Sequence, residues 1–251
     1  MKKFNAFIMT ALAAFAALAA DTAADDAARM GAKAMNPGRS LGCKATTGGN
    51  DFKVLIYGNS IALHAPLPSI GWTNNWGMAA SAPEKDFAHL VVAGLEARLG
   101  GKADFHIRNL ATLERNFTTN VSTVAEIAAD AAWAPDYVVV AIGENVPTID
   151  KSSADAYRRF LADIARPFAK RRAKVVLRSP FWPNAVKAEC TSAAAADVGA
   201  VYVDAGPLGQ KDENKAKGLF WHGGVANHPG DVGMRRLADL ILAGFGKTGA
   251  R

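Results

Sequence analysis

A serine, a side-chain amide and a late histidine stand along this chain in an order that suits acyl chemistry. Gly58-Asn59-Ser60 follows the apolar run Val54-Leu55-Ile56-Tyr57. That puts a hydroxyl at the carboxyl end of a buried strand, the edge of a parallel sheet where reacting groups collect. Gly143-Glu144-Asn145 closes a second apolar run, Tyr137-Val138-Val139-Val140-Ala141-Ile142. His228-Pro229 comes just ahead of Gly230-Asp231-Val232-Gly233 and a last helical pattern. Ser60 is the expected nucleophile, His228 the expected base and Asn145 an amide donor. His64, four residues after Ser60, is the rival base if a helix begins at the serine.

These groups need elements to bring them together. Strand patterns at 53–57, 104–108, 136–142, 174–177 and 200–203 alternate with helical patterns at 82–99, 121–133, 153–170, 190–198 and 231–245. Such alternation predicts a parallel sheet with helices on both faces. The run at 136–142 is apolar on both faces and is expected at the centre. Ser152 or Ser153 marks the predicted start of the helix at 153–170. The segment 64–81 breaks the pattern with prolines, glycines, Trp72 and Trp76. A loop of that length directly after the nucleophile either walls a pocket or is pinned to the core by its tryptophans.

In motif order and spacing, residues 51–245 resemble the SGNH, or GDSL-type, hydrolase superfamily. The resemblance implies a three-layer α/β/α fold around a parallel five-stranded, flavodoxin-like sheet. It also implies a serine esterase working through an acyl-enzyme on Ser60, with no metal or organic cofactor. The family's Gly-Asp-Ser reads Gly58-Asn59-Ser60, its Gly-x-Asn reads Gly143-Glu144-Asn145, and its Asp-x-x-His-Pro ends in His228-Pro229. Two positions depart. The family's Asn-x-Gly becomes Asn109-Leu110-Ala111, so the oxyanion donor falls to the Ala111 N–H, with Gly77 a weaker candidate. The family's acid, three residues before the histidine, is replaced by Val225. Either a backbone carbonyl then fixes the imidazole, giving a Ser–His dyad, or another carboxylate does. The candidates are Glu144 beside Asn145, Asp204 at the end of the fifth strand, and Asp231, which also suits a helix N-cap. Trp72, Trp76, His64 and Gly77 form the expected substrate side, and Trp182 and Trp221 also suit stacking on sugar rings. An acetylated glycan is the expected substrate class and small or lipid esters the second. A glycan- or partner-binding domain without activity and an O-acyltransferase are the alternatives.

The remaining sequence bounds the setting. Lys2 and Lys3 precede an apolar stretch over 7–20 with small residues at Ala17 and Ala19. This predicts a signal peptide at 1–20, an extension at 21–50, a catalytic domain at 51–251, and export to a periplasm or the medium. The apolar stretch is too short to persist as a membrane span. Removing Lys2 and Lys3 from a net charge of +6 leaves +4. The basic residues are scattered, and the densest run, Lys170-Arg171-Arg172, suits a helix end. Nucleic acid is therefore not an expected partner. Cys43 and Cys190 either pair in an oxidising compartment or stay free, and without a nearby histidine they make no zinc site.

Overall fold

The computed structural model describes residues 51–247. Five strands form one sheet: β1 (Phe52–Gly58), β2 (Ala103–Asn109), β3 (Tyr137–Val140), β4 (Lys174–Arg178) and β5 (Val201–Val203). All neighbours pair in parallel, in the order β2-β1-β3-β4-β5. The chain leaves β1 toward β2 and then crosses back to β3, so the strand order reverses beside β1. A crevice at the carboxyl ends of the strands follows from that reversal. The helices are α1 (Phe87–Leu99), α2 (Ala111–Arg115), α3 (Ala125–Trp133), α4 (Lys151–Lys170), α5 (Ala185–Val198), α6 (Gly206–Gly209), α7 (Gly223–Ala226) and α8 (Asp231–Lys247).

Period-two alternation sorts the strand residues into two cores. Val54, Ile56, Val139 and Val176 face α1 and α8, where they meet Phe87, Val91, Leu95, Leu237 and Ile241. Leu55, Tyr57, Val138, Val140 and Leu177 face α3, α4 and α5, against Ile127, Phe160, Ile164 and Ala194. Each fully buried aliphatic side chain contributes about 1.5–3 kcal/mol, so together these layers hold the sheet edge rigid beneath the site. β3 is central and buried along its whole length, as its apolar run predicts.

The structure shifts several expected boundaries, and capping explains most of the shifts. The helix expected at 82–99 begins at Phe87, because the Asp86 side chain accepts the His89 N–H at 2.9 Å. The helix expected at 153–170 begins at Lys151. Asp150 is its cap, and Ser153 returns the bond as the other half of a capping box. The helix expected at 190–198 begins earlier, at Ala185, capped by Asn184. Cys190 lies buried on that helix, its thiol 3.5 Å from the Ala154 carbonyl oxygen. The expected signal segment 1–20, the extension 21–50 and Cys43 lie outside the described residues. Among the described residues no helix is long and apolar enough to cross a membrane.

Candidate active site

Ser60 sits two residues past the end of β1, on a tight turn. The N–H groups of Ala62 and Leu63 both donate to the Asn59 carbonyl at 3.0 Å, and Ile61 N donates to Asn59 Oδ1 at 3.2 Å. A Cβ at Gly58 would stand 2.4 Å from the Ala62 Cβ, so a turn this close requires glycine. The Ser60 carbonyl accepts from Met78 N at 2.8 Å, which ties the turn to the aromatic loop. The Ser60 N–H has no hydrogen-bond partner among the described residues.

His228 stands between α7 and α8. Its Nε2 lies 2.8 Å from Ser60 Oγ, and its Nδ1 lies 2.8 Å from the Gly224 carbonyl oxygen. A carbonyl can only accept, so the proton is on Nδ1 and the Nε2 lone pair faces the serine hydroxyl. Burial holds the imidazole pKa down at about 4, so the ring is neutral at ordinary pH. Three contacts fix the segment that carries it. The His228 carbonyl accepts from Ala216 N at 2.9 Å, Gly230 N donates to the Asn214 carbonyl at 3.1 Å, and Trp182 packs edge-on against the ring at 5.2 Å.

None of the carboxylates suggested by sequence touches His228. Asp204 accepts from Ser179 Oγ at 2.7 Å and from Gly206 N at 3.0 Å, which shapes the turn after β5. Asp231 accepts from the N–H and hydroxyl of Ser81 and pairs with Lys85 at 3.1 Å, on the surface at the start of α8. Glu144 forms a buried ion pair with Arg178 at 2.7 Å and also accepts from Phe181 N and from Asn59 Nδ2. Val225 itself is 0% exposed among Trp72, Met78, Ala79 and Ala216. The place of the missing acid is thus filled by an apolar cluster, and the main chain orients the imidazole.

The amide side is built from buried charge. Glu114 of α2 is 0% exposed. Its Oε2 accepts from Asn145 Nδ2 at 2.7 Å; its Oε1 accepts from Asn59 Nδ2 at 3.2 Å and from the Gly143 N–H. Burial, and then the charge of Glu144, push the Glu114 carboxyl well above the usual carboxylate range. Asn59 donates one N–H to each of Glu114 and Glu144. That explains an amide where the resembling family has a carboxylate: an aspartate would crowd three negative groups together. Gly143 has φ +129, a region that favours glycine, and a Cβ there would stand 2.3 Å from the Tyr157 hydroxyl. Lys187 of α5 reaches under this loop and donates to the Gly143 and Val146 carbonyls at 2.9 and 2.5 Å. Its pKa is lowered by burial.

Ala111 does not fill the expected oxyanion role. It is buried, and its N–H donates to Asn109 Oδ1 at 2.9 Å. The Gly77 N–H is likewise committed, to Asp86 Oδ2 at 3.1 Å. His64 is buried with Nδ1 2.6 Å from the Ala65 carbonyl oxygen, and Ser60 bonds to His228 instead. Trp72 is 0% exposed and donates to the His64 carbonyl at 3.2 Å; Trp76 donates to the Ala80 carbonyl at 2.9 Å. Both tryptophans pin their loop to the protein, so neither Trp72 nor Gly77 offers a substrate surface. Trp221 is the exposed aromatic, at 76%, one residue before the His222 that caps α7. A cavity of about 690 Å³ opens at the opposite edge of the sheet, lined by Phe52, Tyr137 and Lys174 among others, and holds none of these groups.

Glu114, Arg115, Arg178 and Lys187 are the site residues that the sequence reading missed. Glu114, Arg178 and Lys187 look like solvated charges in the sequence until the fold buries them. One local signal existed, a Glu-Arg pair five and six residues after Asn109.

No protein-family model matches the sequence, and no curated protein matches it significantly. Among solved structures, the Bacillus subtilis protein YXIM superposes with a TM-score of 0.50 at 14% identity, over 80% of this chain and 57% of that one. The sheet order, a serine after β1 and a histidine before the last helix accompany that match. This is a three-layer α/β/α fold around a five-stranded parallel sheet. Two further structures resemble the chain. An acetyl-xylooligosaccharide esterase from Geobacillus gives a TM-score of 0.49 at 17% identity, over 79% of this chain and 95% of that one. A protein assigned to the lipolytic G-D-S-L family, from Desulfitobacterium hafniense, gives 0.45 at 14% identity, over 77% and 99%. At these identities the likeness speaks to the fold alone. The chemistry rests on the site.

Proposed function

We propose that this protein is an exported serine esterase that hydrolyses small acyl esters, acetyl foremost, through an acyl-enzyme on Ser60. The observation that carries the reading is the 2.8 Å contact between Ser60 Oγ and His228 Nε2, with Nδ1 held by the Gly224 carbonyl. A neutral, correctly protonated imidazole on a serine at a sheet's carboxyl edge is an activated nucleophile.

Ser60 Oγ attacks the ester carbonyl carbon while its proton moves to His228 Nε2. The carbonyl oxygen becomes an oxyanion, met by the Ser60 N–H and by the second N–H of Asn145 Nδ2. Each such donor is worth about 3 kcal/mol to the transition state. The C–O bond to the alcohol breaks, and the alcohol leaves with the proton from His228. Water, deprotonated by His228, then attacks the acyl-enzyme, and the carboxylic acid and free Ser60 are released. A carbonyl fixes the tautomer as a carboxylate would, but it stabilises the imidazolium only as a dipole. In a full triad, loss of the carboxylate lowers turnover about 10⁴-fold. A dyad is therefore expected to turn over more slowly than a triad.

The alcohol proposed is an acetylated glycan. The exposed indole of Trp221, near the start of the segment that ends in His228, offers a flat apolar face to a sugar ring. The lysine pair and apolar stretch at the amino terminus support delivery to a periplasm or the medium. Hydrolysis of p-nitrophenyl acetate, butyrate and octanoate by the wild type and Ser60→Ala tests this reading. Acetate-selective turnover that Ser60→Ala abolishes supports it. Equal rates for the two proteins on every ester would end it.

A further inference from the structure

A side-chain amide that donates to an oxyanion must be held at one angle, and the terminal torsion of asparagine is broad and close to two-fold. Asn145 is tied at both ends. Its Nδ2 donates to Glu114 Oε2 at 2.7 Å, and its Oδ1 accepts from Arg115 Nη2 at 3.2 Å. The two contacts fix the same orientation independently. Turning the amide over would set Oδ1 against the carboxylate and Nδ2 against the guanidinium, and both contacts would then repel. One Nδ2 hydrogen is used by Glu114, and one remains.

We propose that Glu114 and Arg115, adjacent residues of α2, are positioning residues that clamp the Asn145 amide and leave one N–H aimed at the reacting carbonyl oxygen. The inference rests on the esterase reading of Ser60 and His228. Three observations extend it. Glu114 also takes the Gly143 N–H and Asn59 Nδ2, so one carboxylate ties the amide loop to the nucleophile turn. All of its partners are donors, so the group required there is an acceptor on both oxygens. Arg115 withdraws electron density from Oδ1, which strengthens the remaining N–H as a donor. The base of the clamp is firm, because α2 starts two residues after β2 and Asn109 is registered against Gly58.

The test uses the full chain with Glu114→Gln, Arg115→Met and Asn145→Ala, singly and with each of the first two combined with the third. Kinetics on p-nitrophenyl acetate are read beside side-chain amide spectra of protein labelled with ¹⁵N-asparagine. The Asn145 resonance is identified by its loss in Asn145→Ala. Each clamp variant is expected to lower kcat about 10- to 100-fold with KM within about twofold, below the effect of losing the donor itself. Arg115→Met is not expected to lower kcat further once Asn145 is alanine, whereas Glu114→Gln keeps the part of its loss that runs through Asn59 and Gly143. The Asn145 resonance is expected to move in both. An Arg115→Met loss that adds to that of Asn145→Ala, or a resonance that stays in place in both variants, overturns the clamp. Should Glu114→Gln not fold, Arg115→Met, on a half-exposed residue, carries the same test alone. A wild type that hydrolyses no ester while its Asn145 resonance still moves supports the clamp and ends the esterase reading.

Discussion

The two flanks of Ser60 are made of opposite materials. On the base side stand His228, a main-chain carbonyl and the apolar cluster around Val225, with no carboxylate of the described residues touching the imidazole. On the amide side stand Glu114, Glu144, Arg178 and Lys187, all with buried side chains. A triad carboxylate normally both aligns the imidazole and stabilises its charge. The comparison teaches that this molecule separates alignment from charge. Main-chain geometry aligns the base, and ionised side chains are spent on fixing the loops that carry the nucleophile and the amide.

Removing either end of the dyad tests the base side most severely. His228→Ala and Ser60→Ala are each expected to lower kcat on p-nitrophenyl acetate by about 10⁴-fold or more. Substantial activity left in His228→Ala would mean that another base serves Ser60 and would dissolve the comparison. Next in size is an attempt to give the base side its acid. Val225→Asp places a carboxylate in an apolar cluster, and is expected to lower stability by about 3 kcal/mol in urea unfolding without raising kcat. A faster, equally stable variant would show that the position was merely vacant.

On the amide side, Asn59→Asp removes both donors that separate Glu114 from Glu144. A loss of about 2 kcal/mol at pH 8 is expected. Its sign with pH follows from the crowding: the new group's folded pKa is raised, so the destabilisation is present above that pKa and shrinks as pH falls. Urea midpoints of the wild type and variant at pH 8 and pH 5 check this, and a gap that widens in acid would refute it. The smallest effect expected is in the acid limb of kcat/KM. His228 stays unprotonated down to about 4, whereas Glu114, raised by burial and by Glu144, takes up its proton at higher pH. The wild-type limb is therefore expected above that of His228, and in Glu114→Gln it moves down toward about 4. An unchanged limb would assign it to another group.

How much of this was legible in the sequence follows from which forces leave a local trace. Runs such as Tyr137–Val140 announce a buried parallel strand because both faces are apolar, and the five strands and their alternation with helices were readable. Ser60 and Asn145 could be singled out because each follows such a run, and His228 because it stands just ahead of the last helical pattern. The charged layer was not readable. Whether Glu114 or Lys187 is solvated or buried depends on crossovers that bring α2 and α5 against the loop after β3, across 31 and 44 residues of chain. The tryptophans misled for the related reason that an aromatic in a polar loop reads alike whether it points in or out. Trp72 points in, and Trp221 points out.

The carbonyl that holds His228 Nδ1 belongs to Gly224, and every amino acid carries one. In a triad a single codon change can delete the acid and leave the fold intact. No codon change at position 224 removes this acceptor, so the alignment of the base is inherited as the shape of a turn. It is lost when the stretch from Gly223 to Gly230 comes apart. Thermal inactivation of the dyad is therefore expected to track local melting of that stretch.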